Sequence, residues 1–190
     1  MRLIIVDGLD AVGKDTHAKL IYDKYMRIED NVIMRSHPSV DNFFGRKAKS
    51  SLLKKGKINK VSASIFYMFD VLRSVRKYYR ACEDGTLIMV RYLMGTAYLP
   101  KRLAKFAYTF FEKFVPISEY MFFLDASPKE LFDRLEKRDF KEVFETLQEL
   151  DKVRGKALML TENWHVIDTN HSIEDTFDQI ECILDKLDNK

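Results

Sequence analysis

The sequence contains only two cysteines, Cys82 and Cys182, among its 190 residues. They lie far apart and lack the short spacing of a metal site, so we expect reduced, structural thiols. Long apolar runs are also missing, because no segment approaches the length of a membrane span. The first residues, Met1 and Arg2, lead directly into a predicted strand and not into a secretory signal. These absences favour a cytoplasmic protein without a membrane partner.

Charge of one sign is not strongly in excess. The formal net charge is +3, which is too small to indicate a nucleic-acid partner by itself. One stretch, residues 46–60, carries seven basic residues and no acidic one: Arg46, Lys47, Lys49, Lys54, Lys55, Lys57 and Lys60. No aromatic residue is interleaved there to stack on bases, so a solvated helix and turn is favoured. The alternative is a positive field that attracts nucleotides.

Internal repeats and low-complexity segments are absent too, and the composition fits one domain over residues 1–190. Hydrophobic residues make up 46% of the chain, with 14 Phe and 9 Tyr, which is enough for one sizeable core. Five short apolar segments alternate with helical patterns and predict strands at residues 3–6, 31–35, 86–90, 120–125 and 164–168. This order predicts an α/β fold with a five-stranded parallel sheet and helices on both faces. Ligands should bind where the strands end.

A glycine-rich turn follows the first predicted strand and precedes an amphipathic helix. It matches the P-loop pattern at both glycines and at the lysine, so we predict a three-layer P-loop NTPase fold. Glycines are needed because backbone N–H groups must approach phosphate oxygens, while Lys14 and the positive end of the next helix attract the β- and γ-phosphates. The predicted ATP-binding residues are Gly8, Leu9, Asp10, Ala11, Val12, Gly13, Lys14, Asp15 and Thr16.

Arginines at predicted strand ends suggest a second phosphate-bearing substrate. Arg35 and Arg91 each follow a buried strand, where a guanidinium can hold a phosphate with two parallel hydrogen bonds. Either arginine alone is as well explained by capping carbonyls or by pairing with a neighbouring acid. Phe69 and Arg73 lie one helical turn apart, so they can stack on a base and bond its edge, although packing with a surface charge is the simpler explanation.

A polar interruption after the fourth strand predicts a short lid at about residues 136–146. Arg134 and Arg138 are four residues apart at its start. Arginines on a mobile flap suit phosphoryl transfer, because charge spreads over the oxygens of the transferred group. A solvated helix face, with Arg134 paired to Glu130 or Asp133, is the alternative.

Together these motifs resemble the thymidylate kinases over residues 1 to about 180. Residues 6–17 resemble the family opening Phe-Glu-Gly-Leu-Asp-Gly-Ala-Gly-Lys-Ser-Thr-Gln, and residues 69–73 resemble its Phe-x-x-x-Arg helix. Residues 90–92 are similar to the Asp-Arg-Tyr/His motif, and residues 95–98 to the Ser/Thr…Ala-Tyr loop. The match of residues 35–38 to the Arg-Glu-Pro loop is weaker.

The resemblance implies that ATP phosphorylates dTMP with Mg²⁺, in a homodimeric enzyme. Catalytic roles are implied for Lys14 and Arg91, and for Arg134 and Arg138 at or in the lid, since the P-loop carries no basic residue at Ala11 or Val12. The implied acceptor-binding residues are Asp10, Arg35, Phe69, Arg73, Arg91, Tyr92 and Tyr98. The resemblance implies that the Phe69 ring stacks on thymine, that Arg91 holds the monophosphate and that Asp10 touches the sugar hydroxyl. Helix faces within residues 66–79 and 106–114 are candidates for the dimer contact.

Two departures from the family concern the metal. Asp15 replaces the P-loop Ser or Thr, and Val90 replaces the Asp of the Asp-Arg-Tyr motif. Our hypothesis is that they compensate, with Asp15 as the magnesium ligand, because Mg²⁺ accepts a carboxylate or its bound waters. A third departure, His17 in place of Gln, has no interpretation from the sequence.

Two alternatives remain open at this point. The first is a kinase for another nucleoside monophosphate or for a nucleoside, which needs a general base from Asp7 or Asp10. The second is a nucleotide-binding regulator or nucleic-acid-associated ATPase without transferase activity, suggested by the altered metal positions and by residues 46–60.

Overall fold

A five-stranded parallel sheet forms the centre of the molecule. The computed structural model describes residues 1–28, 31–53, 57–82, 84–137 and 146–190, without the side chains of residues 57, 58, 60 and 101. The strand order is β2-β3-β1-β4-β5, and every neighbouring pair is parallel. The strands are β1 (Arg2–Gly8), β2 (Val32–Ser36), β3 (Thr86–Val90), β4 (Met121–Asp125) and β5 (His165–Asp168).

Helices connect the strands and complete the predicted three-layer architecture. The helices are α1 (Lys14–Met26), α2 (Phe43–Leu52), α3 (Lys57–Tyr78), α4 (Lys101–Glu112), α5 (Pro128–Glu136), α6 (Leu147–Leu158) and α7 (Ile173–Asp188). Helix α1 packs on α7. Helices α3, α4 and α6 pack on a 3-10 helix, Met94–Tyr98, while α2 packs on α3 and α5 packs on α6. The fold class predicted from the sequence is confirmed.

Local sequence signals explain where several elements begin. Ser127 caps α5 by accepting a hydrogen bond from the Glu130 backbone N–H at 3.2 Å, with Pro128 in the first turn. Ser172 caps α7 in the same way, accepting a hydrogen bond from the Asp175 backbone N–H at 3.0 Å.

The core lies on both sides of the central strands. Strands β1, β3 and β4 are buried almost throughout, with Ile4, Ile88 and Phe122 fully inaccessible. Strands covered on both faces are apolar along their whole length, which explains their continuous hydrophobic runs. Neither Cys82 nor Cys182, both of which the structure describes, forms a disulfide bond. In the described parts of the chain, no helix has the length and apolar character needed to span a bilayer.

Most of the predicted lid lies outside the described residues. Of residues 136–146, the structure describes only 136, 137 and 146, and Arg138 is among those it does not describe. Lys54 and Lys55 of the basic stretch also lie outside the described residues.

Candidate functional site

The P-loop joins β1 to α1 in a conformation that glycine makes possible. Gly8, Ala11 and Gly13 have φ angles of 147°, 66° and 87°, which side chains disfavour. A Cβ on Gly8 would lie 2.3 Å from the Leu124 carbonyl oxygen. Glycine is therefore required at Gly8 by close approach as well as by φ. The side chains of Leu9, Ala11 and Val12 are buried in the core, whereas Thr16 is exposed on the first turn of α1.

Lys14 points into the loop. Its side chain is only 2% exposed, and its Nζ donates to the Gly8 carbonyl oxygen at 2.9 Å and to that of Leu9. Burial, followed by the nearby positive charge of Arg91, lowers its pKa to about 8. A buried ammonium held by the loop carbonyls is placed to bind phosphate oxygens in the loop.

Asp7 has a structural role that the sequence did not predict. Its Oδ1 accepts from the Gly8 N–H at 3.0 Å, and its Oδ2 accepts from the N–H groups of Tyr92, Leu93 and Met94 at 2.8, 3.0 and 2.9 Å. Because four backbone donors occupy this buried carboxylate, Asp7 is not available as the general base considered for a nucleoside kinase. It ties the start of the P-loop to the segment after β3.

Arg91 lies at the end of β3 beside Asp15. Its Nη1 is 3.0 Å from Asp15 Oδ2 and 3.1 Å from Oδ1, and it donates to Ser36 Oγ at 3.2 Å. Ser36 Oγ in turn donates to Asp15 Oδ1 at 3.1 Å. Burial opposes the charge of Arg91, but the carboxylates of Asp15 and Asp10 outweigh it and raise the pKa of the guanidinium. Its φ of 56° is unusual for a side-chain-bearing residue and is typical of functional positions.

Asp10 connects the P-loop to the Met94–Tyr98 helix. Tyr98 donates its hydroxyl to Asp10 Oδ2 at 2.9 Å, and Lys14 Nζ lies 3.8 Å from Oδ1. These contacts bring Asp10 and Tyr98 together, as the sequence predicted for one acceptor site. Both carboxylates considered as a base line the cavity, and Asp10 accepts the Tyr98 hydroxyl there.

One cavity of about 320 Å³ brings the strand-end loops together. The P-loop and Arg91 form one end, and the last turn of α2 and the first half of α3 contribute the other. The lining residues are Asp7, Gly8, Asp10, Lys14, Asp15, Ser36, His37, Pro38, Lys49, Leu52, Leu53, Ala63, Ser64, Tyr67, Arg91, Met94, Gly95 and Tyr98. The sequence reasoning missed Ser36, Lys49 and Tyr67.

Phe69 and Arg73, which the sequence assigned to the acceptor base, lie outside the cavity lining. Phe69 is 49% exposed and stacks on Phe44, with ring centroids 5.5 Å apart, and neither Phe69 nor Arg73 lines the cavity. The aromatic side chain of α3 that lines it is Tyr67, which is 8% exposed. Residues two apart on a helix are about 200° apart around its axis, so Tyr67 and Phe69 point to nearly opposite sides.

Arg35 and Tyr92 also lie outside the cavity lining. Arg35 pairs with Asp41, and its guanidinium lies 5.2 Å from the Tyr78 ring centre. Although partial burial acts against it, the Arg35 contact holds the pKa of Asp41 below its ordinary value. Because side chains alternate along a strand, Ser36 reaches the cavity where Arg35 does not. Tyr92 is buried and donates its hydroxyl to the Pro116 carbonyl at 3.0 Å.

Two further arginines contact residues at the ends of β4 and β5. Arg134 donates to the carbonyl oxygens of Thr169 and Ala11 at 2.6 and 3.4 Å, and to Glu130 Oε1 at 2.8 Å. Arg154, which the sequence reasoning did not single out, makes a two-point contact with Asp125 at 2.8 and 2.7 Å. No spacing in the sequence identifies Arg154, because its partner lies on a separate element.

Comparison with known proteins identifies the family. The family model described as Thymidylate kinase matches residues 6–180. The chain belongs to the thymidylate kinase family. Probable thymidylate kinases from Methanococcus maripaludis strain C6 and Thermococcus kodakarensis are 25% and 26% identical to it. They align with 98% and 97% of this chain and with 96% and 97% of their own lengths.

Solved structures of thymidylate kinases have the same fold. The enzyme from Candida albicans has a TM-score of 0.78 at 18% identity, covering 99% of this chain and 92% of its own. The enzyme from Ehrlichia chaffeensis has a TM-score of 0.70 at 16% identity, covering 97% of this chain and 98% of its own. At these identities the likeness shows the fold.

The departures of this family member at the metal positions can now be located. No group of three or more acidic, histidine or cysteine side chains is placed to hold a metal within the described residues. Mg²⁺ commonly takes one or two carboxylates and completes its shell with phosphates and water. The Asp15 side chain is 62% exposed beside the P-loop, so it fits such a site. His17 is buried under the loop, with Nδ1 2.9 Å from the Gly13 carbonyl oxygen.

Proposed function

We propose that this member of the thymidylate kinase family transfers the γ-phosphoryl group of ATP to dTMP, giving ADP and dTDP. The observation that supports it is the shared cavity, which Lys14 of the P-loop and Arg91 of the β3 end both line. Lys14 binds the donor phosphates, and Arg91 binds the acceptor phosphate. The chain acts by positioning and charge neutralisation, without a covalent intermediate.

The donor nucleotide occupies the P-loop in this proposal. The loop N–H groups and Lys14 hold its phosphates, and Arg134 borders the same loop through the Ala11 carbonyl. We assign the lid to about residues 136–146 of a single domain, with Arg138 within it and Arg134 just before it. Mg²⁺, when bound, neutralises phosphate charge, and Asp15 is the side chain that we assign to it.

The acceptor occupies the end of the cavity beyond Arg91. Arg91 binds its phosphate, Asp10 binds the sugar hydroxyl, and Tyr98 orients Asp10 through the bond of 2.9 Å. We assign the base platform to Tyr67 and not to Phe69. Leu52, Ala63 and Met94 give this end its apolar surface, which suits a flat base.

A kinase for another (deoxy)nucleoside monophosphate is the second candidate. The observation that favours it is the position of Arg73, which the sequence assigned to the thymine edge and which does not line the cavity. Because backbone donors occupy Asp7, a nucleoside kinase would have to use Asp10 as its base.

The test is an ADP-release assay with dTMP, dUMP, dCMP, dGMP, AMP and thymidine as acceptors. We expect dTMP to give the highest kcat/KM, and Arg91→Gln to lower it for monophosphates by about 100-fold because a charge-assisted phosphate contact is lost. A preference for another monophosphate supports the second candidate. ATP binding without transfer to any acceptor would identify a regulator, and strongly salt-dependent binding of nucleic acid would identify the nucleic-acid-associated ATPase.

The proposal includes a homodimer and a cytoplasmic location. Phe106 and Phe110 on α4 and Phe114, two residues after its end, form an exposed apolar stripe, and Ile65 and Phe69 are exposed on α3. Sedimentation of the wild-type protein tests assembly, and charged substitutions on one stripe at a time identify the contact.

A further inference from the structure

The Asp15 carboxylate links the P-loop to Arg91, the two groups that we assign to the donor and acceptor phosphates. It follows Lys14 directly on the first turn of α1, and both its oxygens contact Arg91 Nη1 at 3.0 and 3.1 Å. Ser36 completes the cluster with bonds of 3.1 and 3.2 Å. Three elements far apart in sequence therefore meet at this one carboxylate.

The bonds of Arg91 leave one side of its guanidinium free. In the part of the chain that the structure describes, every side-chain hydrogen bond of Arg91 leaves from Nη1. An arginine binds a phosphate best with two parallel N–H donors. Asp15 holds one of the terminal nitrogens that such a contact can use.

Asp15 is therefore an internal competitor for the acceptor phosphate. A carboxylate and a phosphate accept hydrogen bonds from the same guanidinium N–H groups, and two anions at one guanidinium repel each other. The Asp15 side chain is also 62% exposed, so it can turn away from Arg91 without unfolding the helix. A divalent cation at the P-loop gives the carboxylate a stronger partner than the guanidinium, since Mg²⁺ prefers carboxylate oxygens.

We propose that Asp15 couples the two substrate sites by exchanging between Arg91 and the metal of the donor nucleotide. Without the metal, Asp15 occupies Arg91 and weakens binding of the acceptor monophosphate. With the metal–nucleotide complex in the P-loop, Asp15 turns to the cation and releases Arg91 Nη1. The inference rests on the proposed function, because it takes the acceptor to be a monophosphate at Arg91.

This exchange is a coupling between binding sites, so it is reciprocal. The acceptor monophosphate should strengthen Mg²⁺ binding by the same factor as Mg²⁺ strengthens acceptor binding. A role of Asp15 as a plain metal ligand predicts no such link. A role in holding Arg91 in place predicts weaker acceptor binding when the carboxylate is removed.

The test is calorimetric titration of dTMP into protein saturated with ADP, once in EDTA and once in excess MgCl₂. ADP fills the P-loop in both arms, so they differ only in the metal. For the wild type we expect Mg²⁺ to tighten dTMP binding about tenfold. Asp15→Asn and Asp15→Ser should bind dTMP about tenfold more tightly than the wild type in EDTA and gain less than about twofold from Mg²⁺.

Asp23→Asn and Asp23→Ser are the matched controls. Asp23 lies on the same helix and pairs with Lys19 at 2.7 Å on the surface, so these variants make the same change in charge. They should retain the wild-type affinities and the wild-type effect of Mg²⁺. If the Asp15 variants bind dTMP more weakly in EDTA, or keep the full effect of Mg²⁺, the coupling role is wrong.

Inorganic phosphate separates this inference from the proposed function. If dTMP binds in neither arm, phosphate titrated into the ADP-filled protein still probes Arg91, with Arg91→Gln as the control that abolishes the signal. The same dependence on Mg²⁺ and on Asp15 then supports the coupling while the dTMP assignment fails. If dTMP binds but neither Mg²⁺ nor Asp15 changes its affinity, the coupling fails while the proposed function stands.

Discussion

The ring of Tyr67 lies directly against the backbone of Gly95. A Cβ on Gly95 would be 2.7 Å from Tyr67 Cε1 and 3.0 Å from Cζ. Both residues line the cavity, and they come from α3 and from the 3-10 helix after β3. The Tyr67 ring can therefore occupy its position at the acceptor end only because residue 95 has no side chain.

Gly95→Ala should damage acceptor binding selectively. The added methyl group would overlap the Tyr67 ring, so the ring must leave its present position beside the space that we assign to the base. We expect KM for the acceptor to rise about tenfold and KM for ATP to stay nearly constant in steady-state kinetics. Gly155→Ala on α6 is the control, since a Cβ there has no atom within 4 Å. An unchanged acceptor KM in Gly95→Ala would show that Tyr67 does not border the bound acceptor.

Tyr67→Ala and Phe69→Ala should differ in their effect on the acceptor. Tyr67 lines the cavity, whereas Phe69 stacks on Phe44 outside it. We expect Tyr67→Ala to raise the acceptor KM at least about tenfold, because base–aromatic stacking contributes about 1–3 kcal/mol. Phe69→Ala should leave it unchanged. The ATP KM of both variants reports whether the P-loop remains intact, and the opposite order of acceptor effects would restore the sequence-based assignment.

Binding of ADP should weaken above about pH 8. Burial and the charge of Arg91 lower the pKa of Lys14 to about 8, and phosphate binding requires the charged form. Between about pH 7 and about pH 9, most Lys14 side chains in the free protein lose their proton, so ADP affinity should fall about tenfold. Titrations at several pH values measure this change. Lys14→Arg should bind with little pH dependence over the same range, and a wild-type affinity that stays flat would contradict the lowered pKa.

In the nucleotide-free protein, a rise in pH should increase stability through Lys14, whereas it should weaken ADP binding. Its pKa is about 8 in the folded chain against an ordinary value of 10.5. Between these values the unfolded chain binds more protons, so the contribution of Lys14 to the free energy of unfolding rises with pH. Urea unfolding of the wild type and of Lys14→Met at about pH 7 and about pH 10 should show their difference shrinking at the higher pH.

Asp7→Asn should destabilise the fold by about 3 kcal/mol. The asparagine amide offers N–H donors where the carboxylate oxygens now accept four backbone N–H groups. At least one buried backbone donor would lose its partner, and each such loss costs about 1–3 kcal/mol. Urea unfolding followed through the fluorescence of Trp164 measures the change. Asp178→Asn, at an exposed position on α7, should have almost no effect, and an equally small effect of Asp7→Asn would argue against the role of Asp7 as an acceptor for the loop.

The sequence by itself determined where the five strands lie along the chain, the presence of the P-loop and the resemblance to the family. These features follow from local signals. Continuous apolar runs predict buried strands, and a Gly-Lys turn between strand and helix predicts a phosphate-binding loop. Placement of Arg91 at the cavity also followed, because the ends of parallel strands meet at one edge of a sheet.

Only the tertiary structure decided which side chains face that cavity and which partners they meet. The choice between Tyr67 and Phe69 depends on the rotation of α3 about its axis, which the mixed aromatic sequence around them does not specify. The contacts of Asp15 with Arg91, Asp7 with the segment after β3, and Arg154 with Asp125 join residues far apart in the chain. Such contacts depend on how helices and strands pack together, and a local sequence pattern does not specify that packing.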